Sequence, residues 1–147
     1  MNVARILIVE DDFETADFLN LLLSQNGYCV INVVGTGEEA IDTALRTSPD
    51  LMLVDIKLRS HLDGIAACEQ IKKSIDIPFI FVSAHTEKDV IARALRSGPS
   101  GSGYIVKPFT CKHLMTQIEN ALRKKILPFE NEVEHAFDNQ FSRPDQV

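Results

Sequence analysis

The sequence predicts an α/β protein of five parallel strands and five helices, a doubly wound (βα)5 sheet. Two observations carry that reading. Short apolar runs, Arg5 to Val9, Tyr28 to Val34, Leu51 to Val54, Phe79 to Val82 and Tyr104 to Val106, alternate with longer segments whose apolar residues recur at helical spacing. Three of those runs, ILIV, LMLV and FIFV, are apolar without alternation, as strands covered on both faces must be.

Taken in order, the first strand ends in Glu10, Asp11 and Asp12, and Asp12 reads as the cap of a helix carrying Phe18, Leu19, Leu22 and Leu23. Gly27 stops that helix. After the second strand, Thr36 and Glu39 have the spacing of a capping box, opening a helix with Ile41, Ala44 and Leu45 inward. The third strand ends at Asp55, and the third helix turns Ile65, Cys68 and Ile71 to the core. Thr86 and Thr110 are the expected caps of the fourth and fifth helices, and Pro128 interrupts the last.

Composition narrows the function classes. The chain has 147 residues, 45% hydrophobic and 24% charged, which suits one folded domain over residues 1–126 with a tail over 127–147. Its 15 Lys plus Arg against 21 Asp plus Glu give a net charge of -6, so direct nucleic-acid binding and attraction to an anionic membrane are not expected. No run reaches the roughly 18 apolar residues of a membrane span. Cys29, Cys68 and Cys111 have neither disulfide nor zinc spacing, which points to reduced thiols and a cytoplasmic setting.

In an open parallel sheet, ligands bind beyond the carboxyl ends of the strands. There the chain places Glu10, Asp11 and Asp12, then Asp55, then Ser83 and Ala84, then Lys107 and Pro108. Clustered carboxylates repel one another unless a hard cation joins them, and an oxygen-ligated Mg2+ is the expected guest. Asp55 ends the most buried strand, where its carboxylate can attack phosphorus in line while Mg2+ and Lys107 neutralise the growing charge.

These blocks resemble the receiver domains of bacterial-type response regulators. The motifs are ILIVEDD, LMLVDIKL, LDG, FVSAH and GYIVKPF, in order over about residues 3 to 126. The resemblance implies the flavodoxin-like receiver fold and a signalling switch, not a conventional enzyme, that catalyses its own phosphorylation and dephosphorylation. It implies Asp55 as phosphoacceptor and metal ligand, Asp11 as a direct Mg2+ ligand, Glu10 acting through water, and the backbone carbonyl of Lys57 as the remaining protein ligand. Ser83 matches the switch hydroxyl, Lys107 the phosphoryl's ion-pair partner, and Tyr104 the aromatic that swings inward. Lys57 and His85 line the approach of attacking water. The Lys107-Pro108 peptide is expected to be cis. The implied partners are a histidine kinase or histidine phosphotransfer protein as donor and a protein effector, with a homodimer through the helix 4, strand 5, helix 5 face or through the tail. A phosphate sink or shuttle without its own effector is the alternative.

The chain also departs from the pattern. The loop DIKLRSHLDG is one residue longer than in the commonest receivers and lacks their proline, and Gly98-Pro-Ser-Gly-Ser-Gly-Tyr104 lengthens the stretch before strand 5 by two. That glycine-rich insertion is expected to be mobile over 98–103. No output domain is expected after Ile126. Instead, Phe129, Val133, Phe137 and Phe141 recur every four residues, which predicts a sixth, amphipathic helix docking on its own domain or a partner.

Two other readings fail on the residues. Gly35-Thr-Gly37-Glu-Glu-Ala40 matches a dinucleotide fingerprint, but it follows the second strand, and Glu38 and Glu39 would meet a pyrophosphate with negative charge. A haloacid-dehalogenase-like phosphatase needs an acid two residues after its nucleophile, where this chain has Lys57. Of His61, His85, His113 and His135, only His61 and His85 are expected near the site.

Overall fold

The structure, a computed structural model, describes residues 3–98 and 102–126. The elements are β1 (Arg5–Val9), α1 (Phe13–Gln25), β2 (Cys29–Val34), α2 (Gly37–Thr47), β3 (Leu51–Val54), α3 (Gly64–Lys72), β4 (Phe79–Ser83), α4 (Lys88–Ser97), β5 (Gly103–Val106) and α5 (Cys111–Ile126). They form one parallel five-stranded sheet in the order β2-β1-β3-β4-β5. This is the flavodoxin-like order, with its switch point between β1 and β3, so Asp11 and Asp55 leave the sheet on either side of the crevice.

The pattern of apolar runs explains the layering. The residues of β3 and β4 are all buried, as are the last four of β1, and their side chains divide between two cores. Leu7, Val54, Phe79 and Phe81 pack with Ala44, Ile65, Cys68 and Ile71 of α2 and α3. Ile6, Leu53 and Ile80 pack with Leu19 and Leu23 of α1 and Leu114 and Ile118 of α5 on the opposite face. At the edge, β2 is largely exposed and slips register between Ile6 and Leu7, a bulge of the kind that discourages pairing with another chain.

The caps mostly follow the local sequence. Asp12 accepts from Thr15 N at 3.0 Å. Gly27, at φ 88°, completes a Schellman turn in which the Tyr28 N–H reaches the Leu23 carbonyl at 3.0 Å and the Gly27 N–H the Ser24 carbonyl at 3.3 Å. Thr36 accepts from Glu39 N at 3.1 Å, while the returning Glu39 carboxylate takes the N–H of Gly35, one residue earlier than an ideal box. Thr110 accepts from His113 N at 3.0 Å.

Two local expectations need correction. Thr86 does not cap α4; Glu87 stands at that position without a side-chain cap bond, and its carboxylate lies 3.3 Å from His85 Nδ1 instead. Phe18 and Leu45 have core spacing but are exposed, because α1 turns Ala16, Leu19 and Leu23 inward and α2 turns Ala40, Thr43 and Ala44. The expected sixth helix lies outside the described residues. Of the insertion, 99–101 also lie outside them, whereas Ser102 Oγ holds the Phe79 N–H at 2.9 Å.

Burial separates the three thiols. Cys68 is fully buried, and that burial, with the charges of Asp63 and Glu69, pushes its thiol well above the usual range. Cys29 and Cys111 are exposed. Native iodoacetamide treatment should therefore add two carbamidomethyl groups rapidly and the third only in denaturant, read by intact mass; three adducts at one native rate would contradict the packing around α3.

Candidate functional site

Backbone hydrogen bonds beyond the strands set the site. Asp55 N reaches the Val9 carbonyl at 2.8 Å, Glu10 N the Val34 carbonyl at 2.9 Å, and Lys107 N the Ser83 carbonyl at 2.9 Å. Each ladder thus continues one residue past its strand, bringing Glu10, Asp55, Ser83 and Lys107 to the same end of the sheet. The Lys107-Pro108 peptide is cis, as expected.

Glu10, Asp11 and Asp55 can each offer a carboxylate oxygen within 4.8 Å of the others. Lys107 Nζ lies 2.8 Å from Glu10 Oε1 and 3.5 Å from Asp55 Oδ2. Burial raises the Glu10 carboxyl above its ordinary value, and the Asp55 charge adds to this, against the opposing pull of Lys107. Burial alone would lower the Lys107 ammonium, but its hydrogen bond to Glu10 and the two carboxylate charges outweigh that and hold it above its ordinary value. Among the described residues, the Asp11 carboxylate has no hydrogen-bond or ion-pair partner. Three converging oxygen donors with one lysine between two of them suit a hard divalent cation.

The pocket has a volume of about 560 Å³, and Glu10, Asp11, Asp55, Lys57, Ser83 and Lys107 all line it. Ser83, 1% exposed, accepts from His85 N at 3.3 Å. Tyr104 lies beside the Ser83 side chain, with its ring 6.4 Å from that of Phe81, and its hydroxyl donates to the His85 carbonyl at 2.9 Å. The Tyr104 hydroxyl thus meets the β4 to α4 loop. His85 lines the pocket. His61 does not; it lies near Glu38 at the start of α2.

Sequence reasoning missed two features of the β3 to α3 loop. The first is Gly64, where a Cβ would stand 2.0 Å from the Asp55 carbonyl oxygen, so α3 begins in direct contact with the strand end that carries Asp55. The LDG motif was the visible trace of this approach. The second is Arg59, which also lines the pocket and had no signal in the sequence beyond the missing proline.

Removing Lys107 tests the electrostatics. Lys107→Met leaves Glu10 buried beside Asp55 without its ammonium, and breaking a buried pair costs about 3 kcal/mol. Glu10 is already raised, so protonation favours the fold: the stabilising effect is complete below the unfolded value of 4.5 and is lost as pH rises through the folded value. In EDTA, urea melts should show the variant's deficit at pH 7 shrinking toward pH 5. A deficit constant with pH would refute the coupling.

With this geometry in hand, the chain belongs to the response regulator receiver domain family, whose model matches residues 6–119. Proteins of this class are signalling switches in two-component systems. Among relatives, it is 33% identical over 131 residues to the transcriptional regulatory protein PdtaR of Mycobacterium tuberculosis, covering 88% of this chain and 62% of that one. It is 32% identical over 120 residues to the DNA-binding response regulator MtrA of Mycobacterium leprae, covering 82% and 52%. The chain thus spans less than two thirds of the length of these relatives. Among solved structures, it superposes on the signal receiver domain of a modulated diguanylate cyclase from Desulfovibrio desulfuricans G20 with a TM-score of 0.78 at 35% identity, covering 86% of this chain and 99% of that one. The N-terminal domain of a three-domain response regulator from Carboxydothermus hydrogenoformans gives 0.75 at 35% identity, covering 85% and 98%. Among the described residues no helix is long and apolar enough to cross a membrane.

Proposed function

We propose that this chain accepts a phosphoryl group on Asp55 from a partner's phosphohistidine and signals through the resulting change in shape. The observation that carries the proposal is the Lys107 bridge between Glu10 and Asp55, facing Ser83 across the ends of four strands. An Asp55 carboxylate oxygen attacks phosphorus, the new O–P bond forms as the N–P bond breaks, and the electron pair leaves with the imidazole. Lys107 meets the charge that builds on the phosphoryl oxygens, and the Ser83 hydroxyl donates to one of them. Asp11 and Asp55, with Glu10 through water and the Lys57 carbonyl, would hold Mg2+, which when bound supplies Lewis-acid neutralisation of phosphoryl charge.

A protein donor needs a docking surface beside the site. Phe13, Phe18 and Leu21 of α1 are 77%, 53% and 57% exposed, and Phe109, two residues past Lys107, lies 6.4 Å from Phe18. This apolar patch fits a partner helix. The output face is α4, β5 and α5, to which Tyr104 couples the site through the His85 carbonyl. That link favours a switch with its own effector over a sink or shuttle.

Incubation with acetyl phosphate and Mg2+ should add one phosphoryl mass, mapped to Asp55 after borohydride trapping; no mass gain would sink the reading. Asp11→Asn removes a charged oxygen ligand and should weaken Mg2+ binding by calorimetry about tenfold or more, some 1.4 kcal/mol. Unchanged affinity would remove Asp11 from the ligand set.

A further inference from the structure

We propose that Arg59 grips the phosphoryl oxygens of the incoming donor at the mouth of the pocket, a role resting on the assignment of Asp55 as phosphoacceptor. Its head group lies against Gly35: a Cβ there would be 2.1 Å from Nη2, 3.1 Å from Cζ and 3.4 Å from Nε of Arg59. The guanidinium itself, not the aliphatic stem, therefore rests on the glycine. Gly35 directly follows Val34, whose carbonyl accepts the Glu10 N–H, so the head group reaches from the β3 side of the mouth to the β2 and β1 side. The pocket it lines includes Asp11, Asp55 and Lys107.

The base of the side chain is held on both sides. Leu58 is buried in the core, and Ser60 Oγ accepts the Gly37 N–H at 3.2 Å and donates to the Leu62 carbonyl at 3.1 Å. Arg59 is thus placed by neighbours on a pinned loop, which lowers the cost of ordering it around a ligand.

Its donors are also uncommitted. Among the described residues Arg59 makes no hydrogen bond or ion pair, although four acids line the same pocket. Lys107, in contrast, is engaged by Glu10 and Asp55. A guanidinium presents a planar fork that matches two phosphoryl oxygens, which a lysine cannot do. The ligand class is a small dianionic acyl phosphate or phosphoramidate, or the phosphohistidine of a partner. With acetyl phosphate, the bond from Asp55 to phosphorus forms, the bond from phosphorus to the acetate oxygen breaks, and acetate leaves with the electron pair.

The shelf makes the idea testable without deleting the arginine. Gly35 has no positive φ, and the atoms a Cβ would meet belong to the far end of a flexible side chain, so Gly35→Ala should fold while displacing the guanidinium. The experiment measures the rate of Asp55 labelling against acetyl phosphate concentration for wild type, Arg59→Ala, Arg59→Lys, Gly35→Ala and the Arg59→Ala/Gly35→Ala double variant, with circular dichroism and Mg2+ calorimetry as controls. Arg59→Ala should lower the second-order rate about tenfold with Mg2+ affinity within about twofold, and Arg59→Lys should recover only part. Gly35→Ala should slow labelling about threefold, and the double variant should match Arg59→Ala, since the glycine acts only through the arginine. Arg59→Ala reacting at the wild-type rate, or a Gly35→Ala effect that persists without the arginine, overturns the proposal. Both of those outcomes leave Asp55 as acceptor intact, whereas a wild-type chain that takes no label overturns both readings.

Discussion

Asp55→Asn is expected to reduce labelling by acetyl phosphate to background while leaving the fold in place. The amide keeps the shape and one acceptor of the carboxylate but lacks the charged oxygen that attacks phosphorus. The Asp55 backbone is fixed by its bond to the Val9 carbonyl, which the substitution does not touch. Moreover, Asp55 is one of the charges that raise Glu10, so the variant loses a repulsion as well as its 3.5 Å contact with Lys107. These changes oppose each other, and thermal stability should move little. Label at undiminished yield on the variant would place the acceptor elsewhere, whereas loss of the folded signal would mean that Asp55 is structural.

Gly64→Ala should be the most destabilising small substitution in the site. The added Cβ would lie 2.0 Å from the Asp55 carbonyl oxygen, 2.9 Å from the Asp55 carbonyl carbon and 2.8 Å from Val54 Cγ1. Two of these are backbone atoms at the end of a central strand, so no rotamer change relieves the clash. Either α3 withdraws, which also strains the Gly64 N–H bond to the Ile56 carbonyl at 2.7 Å, or the strand end moves and takes Asp55 with it. Overpacking of this kind costs about 3 kcal/mol, which for a chain of this size lowers Tm by roughly 10 °C. Labelling of Asp55 should slow as well. The comparison with Gly35→Ala is informative, because there the obstructing atoms belong to a movable arginine and stability should hardly change. If Gly64→Ala melted with the wild type, the close approach of α3 to Asp55 would be wrong.

Much of this protein was legible in its sequence, for a physical reason that particular residues make clear. The runs ILIV, LMLV and FIFV are short and have no polar face, as strands covered on both sides require, and their alternation with helical segments leaves a parallel sheet as the economical arrangement. Once the strands are parallel, Glu10, Asp11, Asp55, Ser83 and Lys107 must emerge at one end, because each follows its strand. The local stops were equally readable: Gly27 and Thr36 act within one turn of their own position, and their hydrogen bonds reach no farther. The expectation for Thr86 failed at the same scale, because a cap depends on where the helix begins, and α4 starts one residue later than that reading required.

What only the tertiary structure decided are the contacts between residues whose sequence separation carries no signal. Lys107 and Glu10 are 97 positions apart, and their 2.8 Å contact depends on how the strand ends align. Helical spacing made Phe18 and Leu45 look like core, but the faces that α1 and α2 turn to the sheet left them exposed. The seat of Arg59 on Gly35 could not be read locally, and the LDG motif marked Gly64 without showing that it meets the Asp55 carbonyl, since each is a space left by a missing Cβ that another segment fills. Hydrophobic periodicity and turn chemistry act along the chain and so specify elements and their order. Side-chain pairing and steric fit act across it, and they become definite only when the packed sheet brings the strand ends together.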